Sequence, residues 1–361
     1  MMTIDRASQA LHKESQLILI SEDFSGHRLD WFIKLIHLVG KRDLAVFAVD
    51  ASRLNYDTVD FEIEICSDFK SKHDLIKFIG KNQVKATLIF WDGDNWLFEM
   101  FRLKAPIRAL VMRPYLASKS LRDLAVFLIK HVTMLFLKKF KSIEFAYLAI
   151  PFCTVGKRRN YWVDDDLLID LECLKVLRSR RSLNLGKQKF KILVPGYISE
   201  RKNPKLVIDA CKVLSNNSQA EFELMFQGKV EESLKVTFAA NERSWLNVQD
   251  KYFPRSEYLE LLNEADVVVI PYSNIASSGV AVECIALNVP LIMLQNYRWN
   301  GAASQEGINL RLTELNVDQL ANILNEVLSS SLGQREEFDF RYTQAQTALN
   351  FLIEGQLKGS T

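Results

Sequence analysis

The chain has 361 residues, 48% hydrophobic and 25% charged, with a net charge of +2. That length exceeds one small core and accommodates two domains, and the near-neutral balance excludes a global electrostatic pull toward nucleic acid. Five scattered cysteines, Cys66, Cys153, Cys173, Cys211 and Cys284, show neither zinc spacing nor a disulfide framework, the pattern of a reducing compartment. No apolar run reaches the ~18 residues of a membrane span, and the polar N-terminus lacks the apolar centre of a signal peptide. The expected location is the cytoplasm, with a peripheral position at the inner face of the membrane left open.

In chain order, short apolar runs alternate with stretches of helical period, which predicts parallel sheets covered by helices. Strands are expected at Leu17–Ile20, Leu44–Val49, Val84–Trp91, Ile107–Met112 and Ile143–Ile150, and helices at Ser25–Val39 and Leu121–Phe140. The second of these helices carries a broad apolar face within a strongly basic segment, from Arg102 to Lys141, that holds one acid, Asp123. A basic amphipathic helix can lie on anionic lipid; a core helix with a solvated basic edge is the preferred reading. The basic run from Arg178 to Lys189 has no apolar period and reads as a linker, with the boundary near Lys187.

The second half is the more regular. It predicts strands from Lys191, at Phe222–Phe226, Leu246–Val248, Asp266–Pro271 and Pro290–Leu294, and helices at Pro204–Leu214, Glu231–Ala240, Ser256–Asn263, Ser278–Leu287 and Val317–Leu328. Two α/β domains in tandem place a cleft at the carboxyl ends of their sheets, where open α/β sheets bind ligands.

Two strand-to-helix turns carry the chemistry. In Gly196-Tyr197-Ile198-Ser199-Glu200-Arg201-Lys202-Asn203, glycine permits close backbone approach and the helix start offers free N–H groups to an anion. Arg201 and Lys202 are two cations for a diphosphate. Alone, an ordinary turn with a solvated basic pair explains this stretch slightly better. The second turn, Pro271 to Glu283, exposes a helix start at Ser277, Ser278 and Gly279, with Glu283 one turn on, in reach of a ribose diol. Two anion sites at one sheet edge arise by chance far less often than one.

These stretches resemble the glycine–x–isoleucine–x–x–arginine–lysine–glycine/asparagine motif and the donor-binding segment of retaining GT-B glycosyltransferases, over roughly residues 190 to 330. The resemblance implies an α/β fold of GT-B architecture, two Rossmann-like domains facing a central cleft. The domains expected are 1–186 on the acceptor side, 187–335 for the nucleotide-sugar donor, and 336–361 as a helix that crosses back. It further implies that Arg201 and Lys202 hold the diphosphate, Gly196, Ser278 and Gly279 line it, and Glu283 binds ribose. Many members carry a first glutamate, contacting the transferred sugar, where this chain has Ile275; the change implies altered sugar recognition before loss of catalysis.

On the acceptor side the candidates are Gly26, His27, Asp92 and Arg113. His27 either positions reacting groups or is a surface histidine after a capping serine; Arg113 either holds an acidic acceptor or ends a strand. Asp92-Gly93-Asp94 is either a metal site, as in GT-A enzymes, or a turn, and the turn is preferred. The expected partners are a nucleotide-diphosphate sugar and a glycan or lipid-linked acceptor, with no nucleic acid, no cofactor and no metal. A non-catalytic GT-B-like partner protein, a nucleotide-sugar epimerase of similar fold and a GT-A enzyme are the alternatives.

Overall fold

The computed structural model of the chain describes residues 17–24, 44–50, 64–67, 69–82, 84–111, 121–141, 143–149, 162–164, 171–183, 189–217, 221–272, 278–294, 309–312 and 314–329, with positions 11, 32, 35, 36 and 39. They form two compact units that divide near Ile169.

The first unit holds a seven-stranded parallel sheet in the order β3-β2-β1-β4-β5-β6-β7. Its strands are β1 (Leu17–Ser21), β2 (Leu44–Ala48), β3 (Glu64–Cys66), β4 (Thr87–Phe90), β5 (Ile107–Val111), β6 (Ile143–Ala149) and β7 (Trp162–Asp164). The central strands are buried along almost their whole length, as a sheet covered on both faces requires. Helix α1 (Lys72–Lys81) starts where the Ser71 hydroxyl accepts from the Asp74 N–H at 3.2 Å, and it buries Leu75, Ile76 and Ile79. The helix α2 (Leu97–Met100) is short, and α3 (Leu121–Phe140) is the longest of the described helices. Of the helix expected at Ser25–Val39, positions 32, 35, 36 and 39 are helical and the remainder lies outside the described residues.

The second unit holds six parallel strands in the order β10-β9-β8-β11-β12-β13. They are β8 (Phe190–Pro195), β9 (Phe222–Gln227), β10 (Leu246–Gln249), β11 (Val267–Ile270), β12 (Leu291–Leu294) and β13 (Asn309–Leu312). Its helices are α4 (Leu171–Leu183), α5 (Pro204–Asn217), α6 (Lys235–Ala239), α7 (Arg255–Glu264), α8 (Gly279–Ala286) and α9 (Val317–Ser329). Proline opens α5, where its fixed φ suits the first turn, and Val207, Ile208, Cys211 and Leu214 pack inward at helical spacing. The strand order reverses between β8 and β11, and this switch point is where open α/β sheets gather ligands.

Three expectations are corrected. The basic run from Arg178 is helical through Leu183, and it belongs to the second unit. Leu174 and Leu177 anchor α4, the Asn263 side chain donates to the Leu177 carbonyl at 2.8 Å, and Arg178 Nε donates to the Ala286 carbonyl at 2.8 Å. The described residues through Asp164 fall in the first unit and those from Leu171 in the second, so the division precedes Lys187. The expected helix over 336–361 lies outside the described residues. Second, α3 is not a core helix with a basic edge, because most of its apolar side chains face outward. Third, several elements escaped the sequence reading. Strands β3, β7 and β13 are only three or four residues long, too short to show a period. Helices α1 and α4 were passed over although Leu75, Ile76 and Ile79, and Leu174 and Leu177, fall at helical spacing.

One backbone contact fixes the edge of the second sheet. Gly196, at φ +80°, donates its N–H to the Gln227 carbonyl at 2.9 Å, and Gly228 packs so closely that a Cβ there would lie 2.0 Å from the Gly196 carbonyl oxygen. Gly228→Ala is therefore expected to lower the unfolding free energy by about 2 kcal/mol or more, read from urea denaturation. A change within experimental error would show that the edge yields.

Candidate functional site

The site is built at the carboxyl end of β8. After Gly196 the chain stays paired with the segment following β9, through Ile198 N–H to the Lys229 carbonyl at 2.8 Å and Glu231 N–H to the Ile198 carbonyl at 2.9 Å. A single 3₁₀ turn, Glu200–Lys202, follows and ends on Asn203 in the left-handed region at φ 44°. Asparagine tolerates that conformation because its short amide bonds locally. Here the amide reaches further: Asn203 Nδ2 donates to the Pro271 carbonyl at 2.7 Å, tying the β8 loop to the end of β11 across the switch point.

That turn buries one of its two cations and leaves the other exposed. Lys202 is only 4% exposed, its ammonium donates to the Pro195 carbonyl, and its pKa is pushed down to about 7 by burial and then by the charge of Arg201. A Cβ on Gly196 would lie 3.2 Å from Lys202 Nζ, so the glycine leaves room for the ammonium as well as for the turn. Arg201 is exposed and lays its guanidinium over the Tyr272 ring, 4.8 Å from the centroid, with Lys202 Nζ 5.8 Å from the same ring. Tyr272 is buried and its phenol pushed up to about 12 by desolvation. The face of one aromatic ring thus gathers two positive charges at the mouth of the sheet.

Helix α8 opens beside this mouth. Ser278 caps it, its hydroxyl accepting from the Ala281 N–H at 3.3 Å, and Gly279 is the first helical residue. Glu283 lies one turn in and is 2% exposed, an unusual burial for a carboxylate. Its Oε1 pairs with Arg255 NH2 at 2.6 Å, while its Oε2 has no hydrogen-bond partner among the described residues. Arg255 is the first residue of α7, and its guanidinium lies 5.6 Å from the Tyr258 ring centroid. Burial, together with the charge of Glu283, pushes the Tyr258 phenol well above its ordinary pKa. The guanidinium fixes the orientation of this buried carboxylate and leaves its second oxygen buried without a hydrogen-bond partner among the described residues.

Residues 176–343 match the family model described as Glycosyl transferases group 1, a span that begins inside α4 and takes in both loops of the site. No curated protein matches the chain in sequence. Among solved structures, the chain is similar to an α,α-trehalose-phosphate synthase (UDP-forming) from Burkholderia xenovorans in complex with glucose-6-phosphate. That match has 12% identity and a TM-score of 0.60, over 95% of this chain and 97% of that one. It is similar to WaaG, a glycosyltransferase involved in lipopolysaccharide biosynthesis, at 14% identity and a TM-score of 0.56 over 94% and 95%. It is also similar to a putative UDP-N-acetylglucosamine 2-epimerase from Listeria monocytogenes, at 10% identity and a TM-score of 0.58 over 89% and 90%. The fold is GT-B.

In this GT-B chain the C-terminal unit brings Gly196, Arg201 and Lys202 together at the end of β8, and Ser278, Gly279 and Glu283 along the start of α8. Gly26, His27, Arg113 and Ile275 lie outside the described residues. Asp92 is buried and engaged within its own turn. Its Oδ1 accepts from Trp96 Nε1 at 3.0 Å and its Oδ2 from Asn95 Nδ2 at 3.2 Å, so the carboxylate closes a turn. Asp94 is buried and pairs with Lys130 at 3.3 Å. Gly93 between them is required because a Cβ there would meet the Ala109 Cβ at 2.7 Å.

The sequence reading missed Arg255. A signal for it existed: an arginine at the first position of a helix opposes the helix dipole, so it has to be compensated elsewhere, and here Glu283 compensates it. Arg255→Ala is expected to cost about 1–3 kcal/mol of stability by leaving a buried carboxylate unpaired, whereas Arg255→Ala/Glu283→Gln recovers most of that loss. Urea unfolding of the two variants checks this; equal losses in both would dissociate Arg255 from Glu283.

Proposed function

We propose that this chain is a glycosyltransferase that binds a nucleotide-diphosphate sugar at the switch point of its C-terminal unit. The sugar passes to a glycan or lipid-linked acceptor, with retention of anomeric configuration and without a metal. The observation that carries the reading is the pair Arg201 and Lys202, converging on the Tyr272 ring and held across the switch point by the Asn203–Pro271 hydrogen bond. The family match over residues 176–343 supports it, as does a fold shared with proteins named as a UDP-forming synthase and a glycosyltransferase.

Breaking the bond between the anomeric carbon and the diphosphate builds negative charge on the leaving phosphate. Fixed cations and helix-start amides stabilise that charge more than they stabilise bound donor, which lowers the barrier. Arg201 offers a fork to paired oxygens, and Lys202 a point charge in a site from which water has been largely removed. The buried, unpartnered Oε2 of Glu283 would accept from a ribose hydroxyl once a donor reaches it. Arg201→Ala and Lys202→Ala are each expected to reduce turnover at least about tenfold with cooperative unfolding retained. Turnover close to that of the parent chain would remove both residues from the reaction.

The state of Lys202 makes binding depend on pH. Its ammonium is half-titrated near pH 7 in the free protein, and a bound diphosphate favours the charged form, so binding takes up a proton. Affinity for UDP is therefore expected to weaken as pH rises from 7.5 to 9, by up to about tenfold per pH unit, and Lys202→Met is expected to flatten the profile. Isothermal titration in buffers of different ionisation enthalpy reads the proton directly; an unchanged profile in the variant would assign the dependence elsewhere. The epimerase likeness favours a second reading. Release of nucleotide only when an acceptor is present supports transfer, and an isomerised nucleotide-sugar with no acceptor supports epimerisation.

A further inference from the structure

Helix α3 meets its own unit through a narrow mixed face and turns most of its apolar groups outward. Toward its own unit it presents Lys130, whose ammonium meets Asp94 at 3.3 Å, together with Thr133, Met134 and Leu137, all three buried. The opposite side carries Leu121, Leu128, Val132, Leu135 and Phe136 at spacings of three, four and seven residues, which place them on one face. Leu121 is 85% exposed, Leu135 69% and Val132 64%. The stripe runs the length of the helix, about 30 Å for twenty residues. Aromatic rings widen it: Phe136 lies 5.5 Å from Phe101 and 4.5 Å from Phe140, and Phe98, one turn before Phe101, is 63% exposed.

The stripe ends in positive charge. Lys138 and Lys139 are exposed, Lys141 is half-buried, and Lys139 Nζ lies 5.5 Å from the Phe140 ring centroid. Arg102 and Lys104, just past Phe101, are exposed as well, while the helix has a single carboxylate, Asp123. Of the neighbouring acids, Glu99 is half-buried and Glu144 is paired with Arg108 at 3.3 Å. No helix among the described residues is long and apolar enough to cross a membrane.

We propose that α3 seats on an anionic lipid surface, with the Leu/Val/Phe stripe in the acyl boundary and the lysines among the headgroups. A second copy of the chain packed on this face would have to bury Lys139 against apolar groups, which protein interfaces avoid. A lipid surface lets the lysine stem stay apolar while its ammonium reaches phosphate. This goes beyond the transfer reaction and does not rest on it.

The test is sedimentation of the full chain with vesicles of phosphatidylcholine alone or mixed with phosphatidylglycerol, at low and high salt. Binding is expected on the mixed vesicles and to be at least about tenfold weaker without phosphatidylglycerol or at high salt. Val132→Glu/Leu135→Glu, both at exposed positions, is expected to abolish binding with an unchanged thermal transition. Lys138→Glu/Lys139→Glu, which leaves the stripe intact, is expected to weaken it about tenfold or more. Equal binding to both vesicle types, a dimer dissociated by Leu135→Glu, or a monomer that ignores vesicles would each overturn the proposal.

Discussion

Asn203 donates its side-chain amide to the carbonyl of Pro271, and the geometry of the C-terminal unit's sheet edge depends on that bond. The two residues lie on opposite sides of the point where the strand order reverses, one after β8 and one after β11. Without a tie, two loops at a switch point diverge, because their helices go to opposite faces of the sheet. The bond holds the turn that bears Arg201 and Lys202 beside Tyr272. The close backbone approach of Gly196 and Gly228 sets the level at which that turn begins.

The electrostatics of this edge run against stability. An ammonium 4% exposed, with a neutral carbonyl as its partner, pays a desolvation penalty that no carboxylate among the described residues offsets, and its lowered pKa expresses that penalty. Since the folded pKa lies below lysine's ordinary range, the cost is full below about pH 7 and falls away as pH rises toward that range. In the proposed reaction a bound diphosphate would offset that cost. The Arg255–Glu283 pair is the complementary case, a buried carboxylate held in one orientation with one oxygen unpartnered among the described residues. Both groups are fixed in the ligand-free chain, as the proposed site would need in order to avoid reorganisation during a reaction.

The N-terminal unit shows the reverse of the usual economy. Its sheet is buried and covered, yet its longest described helix directs leucine, valine and phenylalanine to the outside and a lysine to a buried aspartate within. Isolated apolar side chains on a surface are ordinary, but a continuous stripe along a twenty-residue helix is not.

Much of the second unit was legible in the sequence, and for a physical reason. Runs such as Val267–Ile270, β-branched throughout and bounded by Asp266 and Pro271, leave a strand buried on both faces as their simplest arrangement. The pairing of a glycine turn with a helix start at Gly196 and again at Ser278 marked the sheet edge where a ligand gathers. The sequence could not tell that α4 belongs to the second unit, because its basic run is organised by acceptors on α7 and α8 that are distant in the chain. Nor could it show that Lys202 is buried while its neighbour Arg201 is exposed, or that Arg255 is Glu283's partner. The apolar periodicity of α3 was equally visible, but a period gives the faces of a helix and not which of them meets the core. Local pattern determined the elements of this protein; only the tertiary structure decided burial and charge partners, because both are set by contacts between segments far apart in sequence.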